Sequence, residues 1–179
     1  AYNSNKRGIT LNLKTRDGVE LFKKLVGAAD CVIESFPPGY ISSLGLGYDA
    51  LIQINPRVVL TSITPFGQIG PHRNYKASEL VVQAMSGIMN VTGEPDRAPL
   101  RWGGEQSYVM SAVQAATGTM IALYYSEASG KGQWVDVSMQ DCMCWANTGS
   151  WNISYWPFMK IIPKREGNRS FSGAVYLCE

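Results

Sequence analysis

The sequence predicts an α/β fold, with a parallel sheet flanked by helices. Three observations lead there. "GITLNL" (Gly8–Leu13), "RDGVELFKKLVGAA" and "DCVIESF" (Asp30–Phe36) read as strand, helix and strand, within the roughly thirty residues of a βαβ unit. "RVVLTSITPFG" (Arg57–Gly67) adds a further β element after a helical connection, the order that favours parallel pairing with covered faces. The 179 residues are 45% apolar and 17% charged, enough to build and solubilise a real core.

Each element has its own signal. In the first helix Val19, Phe22, Leu25 and Val26 fall at helical spacing, Asp17 is placed to cap and Gly27 to terminate. Pro37-Pro38-Gly39 stops the strand before it. Tyr40–Leu44 reads as one helical turn, and Tyr48–Ile54 as a short helix ending before Pro56. Ser78–Gly87 reads as a helix capped by Ser78, with Leu80, Val81, Ala84 and Met85 on one face. Thr92–Gly104 is loop. A long helix over Ser107–Tyr125 carries a stripe of Val109, Ala112, Val113, Ala116, Met120 and Leu123, and its many small residues predict close packing. A Gly-Lys-Gly turn precedes a strand at Gln133–Val137. Ser138 then caps a further helix through the amide of Gln140 or Asp141. "SWNISYWPFMKIIPKREGNR" reads as irregular and "SGAVYLCE" as a last strand. No internal repeat or low-complexity segment occurs.

Several function classes are disfavoured. The net charge is +2 and the basic residues are scattered, so no nucleic-acid partner is expected. No run of about twenty apolar residues could span a membrane. "AYNSNKRGITLNLK" has no apolar leader region, and a cytoplasmic location is expected. Cys31, Cys142, Cys144 and Cys178 lack zinc-site spacing and read as buried free thiols. No metal site is expected. P-loop and hydrolase-elbow motifs are absent, and "GLGYDA" is too short for a dinucleotide fingerprint.

The lone histidine, His72, reads as a loop residue, with phosphate contact beside Arg73 as the functional alternative. Glu34, on a strand just before a turn, needs a partner if buried, and Asp136 reads as a structural hydrogen-bonder. In "RWGGEQSYVM" (Arg101–Met110) two glycines precede Glu105 at a helix mouth. Glycines leave room for a ligand, and the helix N-terminus favours an ionised carboxylate. Glu105 therefore fits either a carboxylate nucleophile or an ordinary first-turn charge.

The ordered set "NKRGITLNLKTRDG", "ADCVIESFPPG", "LGLGYDAL…INPRVVLTSITPFGQIGP", "ASELVVQAMSGIM…TGEPDRAPLR" and "GKGQWVDVSMQD" resembles the family III coenzyme A transferases. Formyl-CoA:oxalate and carnitine CoA-transferases belong there, and alpha-methylacyl-CoA racemases share the fold. The resemblance covers nearly the whole chain. It implies a fragment of a Rossmann-like large domain over residues 1–156, with 157–179 a linker and the start of a small domain. The first strand and helix would precede Ala1, and the rest of the small domain would follow Glu179. It also implies two interlocked subunits, alike or different.

The reaction the resemblance implies moves coenzyme A from an acyl-CoA donor to a carboxylic acid acceptor. An enzyme carboxylate attacks the donor thioester. The released CoA thiolate then attacks the enzyme's own acyl carbon in the mixed anhydride, which frees the donor carboxylate and leaves an enzyme–CoA thioester. The acceptor carboxylate attacks that thioester, and the thiolate it expels takes the acceptor's acyl group and frees the enzyme carboxylate. Coenzyme A is a substrate; no tightly bound cofactor is implied. By position, the family's aspartate falls on Tyr108, so the usual nucleophile is missing. Glu105, three residues earlier, is the nearby replacement. The alternative is a CoA-binding or structural subunit that carries no nucleophile. The resemblance places CoA contacts at Asn12, Lys14, Phe36, Pro37 and Arg101, with Pro37 standing where arginine is common. Glu79 matches an acidic position in many transferases. "NYKASEL" lacks the histidine expected of a racemase.

Overall fold

A computed structural model describes residues 3–148, 152–167, 169–170 and 173–174. Strands β1 (Cys31–Glu34), β2 (Val59–Thr64) and β3 (Trp134–Ser138) form a parallel sheet in the order β1-β2-β3. Cys31 pairs with Val59, and Leu60 with Trp134. The central strand β2 is buried along almost its whole length, as expected where helices cover both faces. Successive side chains of β2 point to opposite faces. Leu60 joins Val26, Ile41, Leu46 and Leu51 in a core built with α1 (Arg16–Val26), α2 (Tyr40–Ser43) and α3 (Tyr48–Ile54). Thr61 faces the other way, onto α5 (Gln106–Ser129). The second core joins Val82 of α4 (Glu79–Met85), Ile88, and Met139 and Met143 of α6 (Met139–Thr148).

The structure departs from expectation in several places. Gly8–Leu13 forms no strand among the described residues. Its alternation has no neighbouring ladder to satisfy it, and Ile9 is 70% exposed. The chain instead turns at Asn12, whose carbonyl accepts hydrogen bonds from the Thr15 amide (3.2 Å) and hydroxyl (2.9 Å). Thr15, not Asp17, then caps α1, its hydroxyl accepting from the Gly18 amide at 3.2 Å. In the same helix Leu25 stays half exposed.

The long helix buries the opposite residues from those expected. Ser107, Ser111, Ala115, Thr119, Ala122 and Ser126 face inward, while Val109, Val113 and Met120 face outward. Small side chains let α5 lie close on the sheet: a Cβ at Gly118 would come within 3.0 Å of Val135. The Ser111 and Thr119 hydroxyls cost little there because they bond back to the preceding turn; Ser126 donates instead to the Arg57 carbonyl at 2.6 Å, and the Ser107 hydroxyl has no partner among the described residues. Ser111 donates to the Ser107 carbonyl at 2.5 Å and Thr119 to that of Ala115 at 2.7 Å.

In α4 the buried residues are Val82 and Gln83 rather than the predicted apolar face, and Leu80 is exposed. Ser78 occupies the cap position without a side-chain cap bond. The segment expected to be irregular contains α7 (Asn152–Met159), with Pro157 inside it. Tyr48–Ile54, the three strands of the parallel sheet and the Ser138 cap agree with expectation; the Ser138 hydroxyl accepts from the Asp141 amide at 3.3 Å. Gly173–Ala174 pairs antiparallel with Arg169–Ser170. The rest of the predicted last strand, Cys178 included, lies outside the described residues.

Candidate functional site

The C-terminal ends of the parallel strands are where α/β sheets place ligand loops. β1 ends at Glu34, which is buried; its carboxylate accepts the Phe36 amide at 2.6 Å. That bond turns the chain out of the strand and answers the need for a partner. Phe36 then sits against Tyr40, ring centroids 5.1 Å apart, and the Pro37 carbonyl accepts the Tyr40 amide at 3.0 Å. Gly39, at φ +78°, allows the turn into α2. After β2, Asp136 accepts the Gln68 amide at 2.9 and 3.1 Å, so its role is to hold the following loop. In that loop the His72 ring packs between Phe66 and Tyr75.

A cavity of about 330 Å³ opens beside this loop edge. Its wall includes Ser35, Ile63, Val82, Tyr108, Ser111 and Met139. The surface is mostly apolar, four of its residues carry hydroxyls, Ser35, Ser78, Tyr108 and Ser111, and no carboxylate lines it. Tyr108 alone among the expected site residues contributes to the wall. It sits in the first turn of α5, half exposed.

Glu105 occupies the N-cap position of α5 but is exposed and makes no capping bond with its side chain. Its carbonyl accepts the Val109 amide at 3.1 Å, starting the helix. Gly104, at φ +75°, supplies the left-handed residue before it. Arg101 is exposed and reaches back to the Gly104 carbonyl at 3.5 Å. Phe36 and Pro37 stand on the loop next to Ser35, outside the wall. Asn12 and Lys14 are exposed on the turn before α1, where the Asn12 side chain accepts the Lys14 amide at 3.0 Å.

The cap of α5 comes from another helix. Glu79 Oε1 accepts the Ser107 amide at 2.9 Å and the Gln83 side-chain amide at 2.7 Å. A carboxylate at a helix N-terminus is favoured by the helix dipole. From the sequence, Glu79 stands out only as matching an acidic position in many transferases, and Gln83 carries no expected role. The signal for Gln83 was present: Glu79 and Gln83 stand four apart, the spacing at which helical side chains meet.

Burial pushes the Cys142 thiol above its ordinary pKa. The Ser111 hydroxyl beside it works against that shift, and the charge of Asp141 adds to it. Cys144 is raised by burial and Asp141, and Cys31 by burial and Asp30. All three are free thiols. Among the described residues no His, Cys, Asp and Glu cluster is arranged to hold a metal ion, and no helix is long and apolar enough to cross a membrane.

Known proteins resemble this chain in sequence and in structure. The subunit BbsE of succinyl-CoA:(R)-benzylsuccinate CoA-transferase from Thauera aromatica is 36% identical over 177 residues, covering 99% of this chain and 43% of that protein. Acetyl-CoA:oxalate CoA-transferase from Acetobacter aceti is 41% identical over 177 residues, covering 93% of this chain and 43% of its own length. A solved CAIB/BAIF family protein from Brucella suis superposes with a TM-score of 0.86 at 36% identity, over 91% of this chain and 43% of that one. The chain thus spans less than half the length of these relatives. The description "CoA-transferase family III" matches residues 1–178, and with that match, these identities and the shared parallel sheet, the chain belongs to CoA-transferase family III.

Proposed function

We propose that the protein takes part in moving coenzyme A from an acyl-CoA to a carboxylic acid, and that this chain shapes the acyl-CoA cavity without supplying the nucleophile. One observation carries the second half. Tyr108 stands in the cavity wall where the resemblance places a carboxylate, and no carboxylate lines that wall. A phenol, unlike a carboxylate, cannot form the mixed anhydride through which this transfer passes. Glu105 is a carboxylate in the right segment, but it lies outside the wall.

The nucleophile then belongs to a partner chain, in a heteromer of interlocked subunits within the cytoplasm. The relative from Thauera aromatica is itself named as a subunit of a CoA-transferase. Coenzyme A enters as a substrate. Lys14 and Arg101 offer cations to its phosphates, Asn12 a polar contact, and Phe36 and Pro37 an apolar face for its adenine. Residues 1–156 form the large-domain part of this assembly, and 157–179 lead into the small domain.

The test is to incubate the whole assembled protein with acyl-CoA, trap with hydroxylamine or borohydride, and locate modified residues by mass. The expected result is CoA-ester binding with no modified carboxylate on this chain. A label on Glu105 would overturn the non-nucleophilic reading and make this chain the catalytic one.

A further inference from the structure

The segment from Trp102 to Ser107 holds two glycines and would be free to move if anchored only at its ends. It is tied at both. The Trp102 amide donates to Gln83 Oε1 at 2.7 Å, and the Gln83 side-chain amide donates to Glu79 Oε1 at 2.7 Å. The same oxygen accepts the Ser107 amide at 2.9 Å. Gln83 is fully buried, and the other Glu79 oxygen, Oε2, is buried with no hydrogen-bond partner among the described residues. The carboxylate is therefore held by Oε1 alone.

We infer that Gln83 is a positioning residue: through Glu79 it clamps the glycine segment and fixes where the first turn of α5 presents Tyr108 to the cavity. The chemistry requires an amide at this position. One end must accept from a backbone amide while the other donates to a carboxylate, and among neutral side chains of this length only glutamine does both. Methionine would fill the volume but leave the Trp102 amide unpaired. Glutamate would accept from Trp102 but set a second carboxylate against Glu79.

This inference rests on the reading of the cavity as an acyl-CoA site, and its test separates the two. In the whole protein, Gln83→Met is expected to speed hydrogen exchange at the Trp102 and Ser107 amides by about tenfold, the equivalent of one buried hydrogen bond. Gln83→Glu keeps an acceptor for the Trp102 amide, so it is expected to speed exchange at Ser107 and not at Trp102, by repelling the Glu79 carboxylate. The buried amides of β2 should exchange as in the unaltered protein in both variants. Acyl-CoA affinity is expected to fall by a similar factor, about tenfold, in both. Unchanged exchange at Ser107 would overturn the inference, as would exchange that speeds equally in β2, the mark of a merely structural role. So would variants whose Ser107 exchange speeds while affinity holds. An unaltered protein that binds no acyl-CoA fails the cavity reading instead, a result the exchange rates do not depend on.

Discussion

The hydroxyls of Thr61 on β2 and Thr119 on α5 meet at 2.6 Å in the buried seam between strand and helix. Thr119 also donates to the Ala115 carbonyl at 2.7 Å, so the Thr61 hydroxyl is the donor between them. Thr119→Val should therefore strand a buried hydroxyl and destabilise the fold by about 1–3 kcal/mol. The companion change Thr61→Val removes the stranded group. In a double-mutant cycle by urea unfolding, the two costs should sum to more than the double variant shows.

The Thr61–Thr119 pair also shows why the face of α5 was illegible in sequence. Periodicity marks apolar residues as inward, and the Val109–Val113–Met120 stripe satisfies that rule. The sheet instead takes the small Ser and Thr residues, because their size permits close approach and the Ser111 and Thr119 hydroxyls are satisfied within the helix. Tyr48–Ile54, by contrast, was readable because Gly47 and Pro56 bracket it locally. Gly8–Leu13 has the alternation of a strand, but a strand is made by its neighbour, and pairing is not a local property. At the site, sequence order located the helix mouth, whose first turn carries Tyr108. It could not show that Glu79, twenty-eight residues before Ser107, closes that mouth in place of Glu105.

Gly18 predicts a sharper local effect. A Cβ there would sit 1.9 Å from the Asn12 carbonyl oxygen, a backbone atom fixed by its bonds to Thr15. Gly18→Ala should force the Asn12 turn open and cost about 1–3 kcal/mol, the usual range for overpacking. Thermal unfolding reads the loss. Faster hydrogen exchange at the Thr15 amide, with β2 amides unchanged, would localise it.

The thiols of α6 set an alkaline limit on stability. Burial raises both Cys142 and Cys144 above their ordinary pKa, so the folded state keeps its protons longer than the unfolded chain. Stability should hold below the unfolded thiol value of about 8.5 and fall as pH rises through the folded values. Urea midpoints between neutral and alkaline pH measure this. Replacing both cysteines by alanine should flatten that slope, though it lowers stability at every pH. An unchanged slope would place the alkaline loss elsewhere.

Tyr108 offers the direct test of what this chain contributes. If the phenol only lines the wall, Tyr108→Phe keeps the ring and removes a group with no chemical part. Acyl-CoA affinity and the turnover of the assembled protein should both stay within about twofold, the change expected from at most one exposed hydrogen bond. Tyr108→Ala instead removes a ring from the cavity wall, and affinity should fall by about tenfold through lost apolar contact. Tyr108→Asp places a carboxylate at the cavity for the first time. It stands in the first turn of α5, where the helix dipole favours the ionised form. Incubated with acyl-CoA, that variant should form a hydroxylamine-sensitive acyl group at position 108 that the unaltered chain lacks. A loss of turnover in Tyr108→Phe larger than about tenfold would give the hydroxyl a part in the transition state, and the chain could no longer be regarded as only a wall.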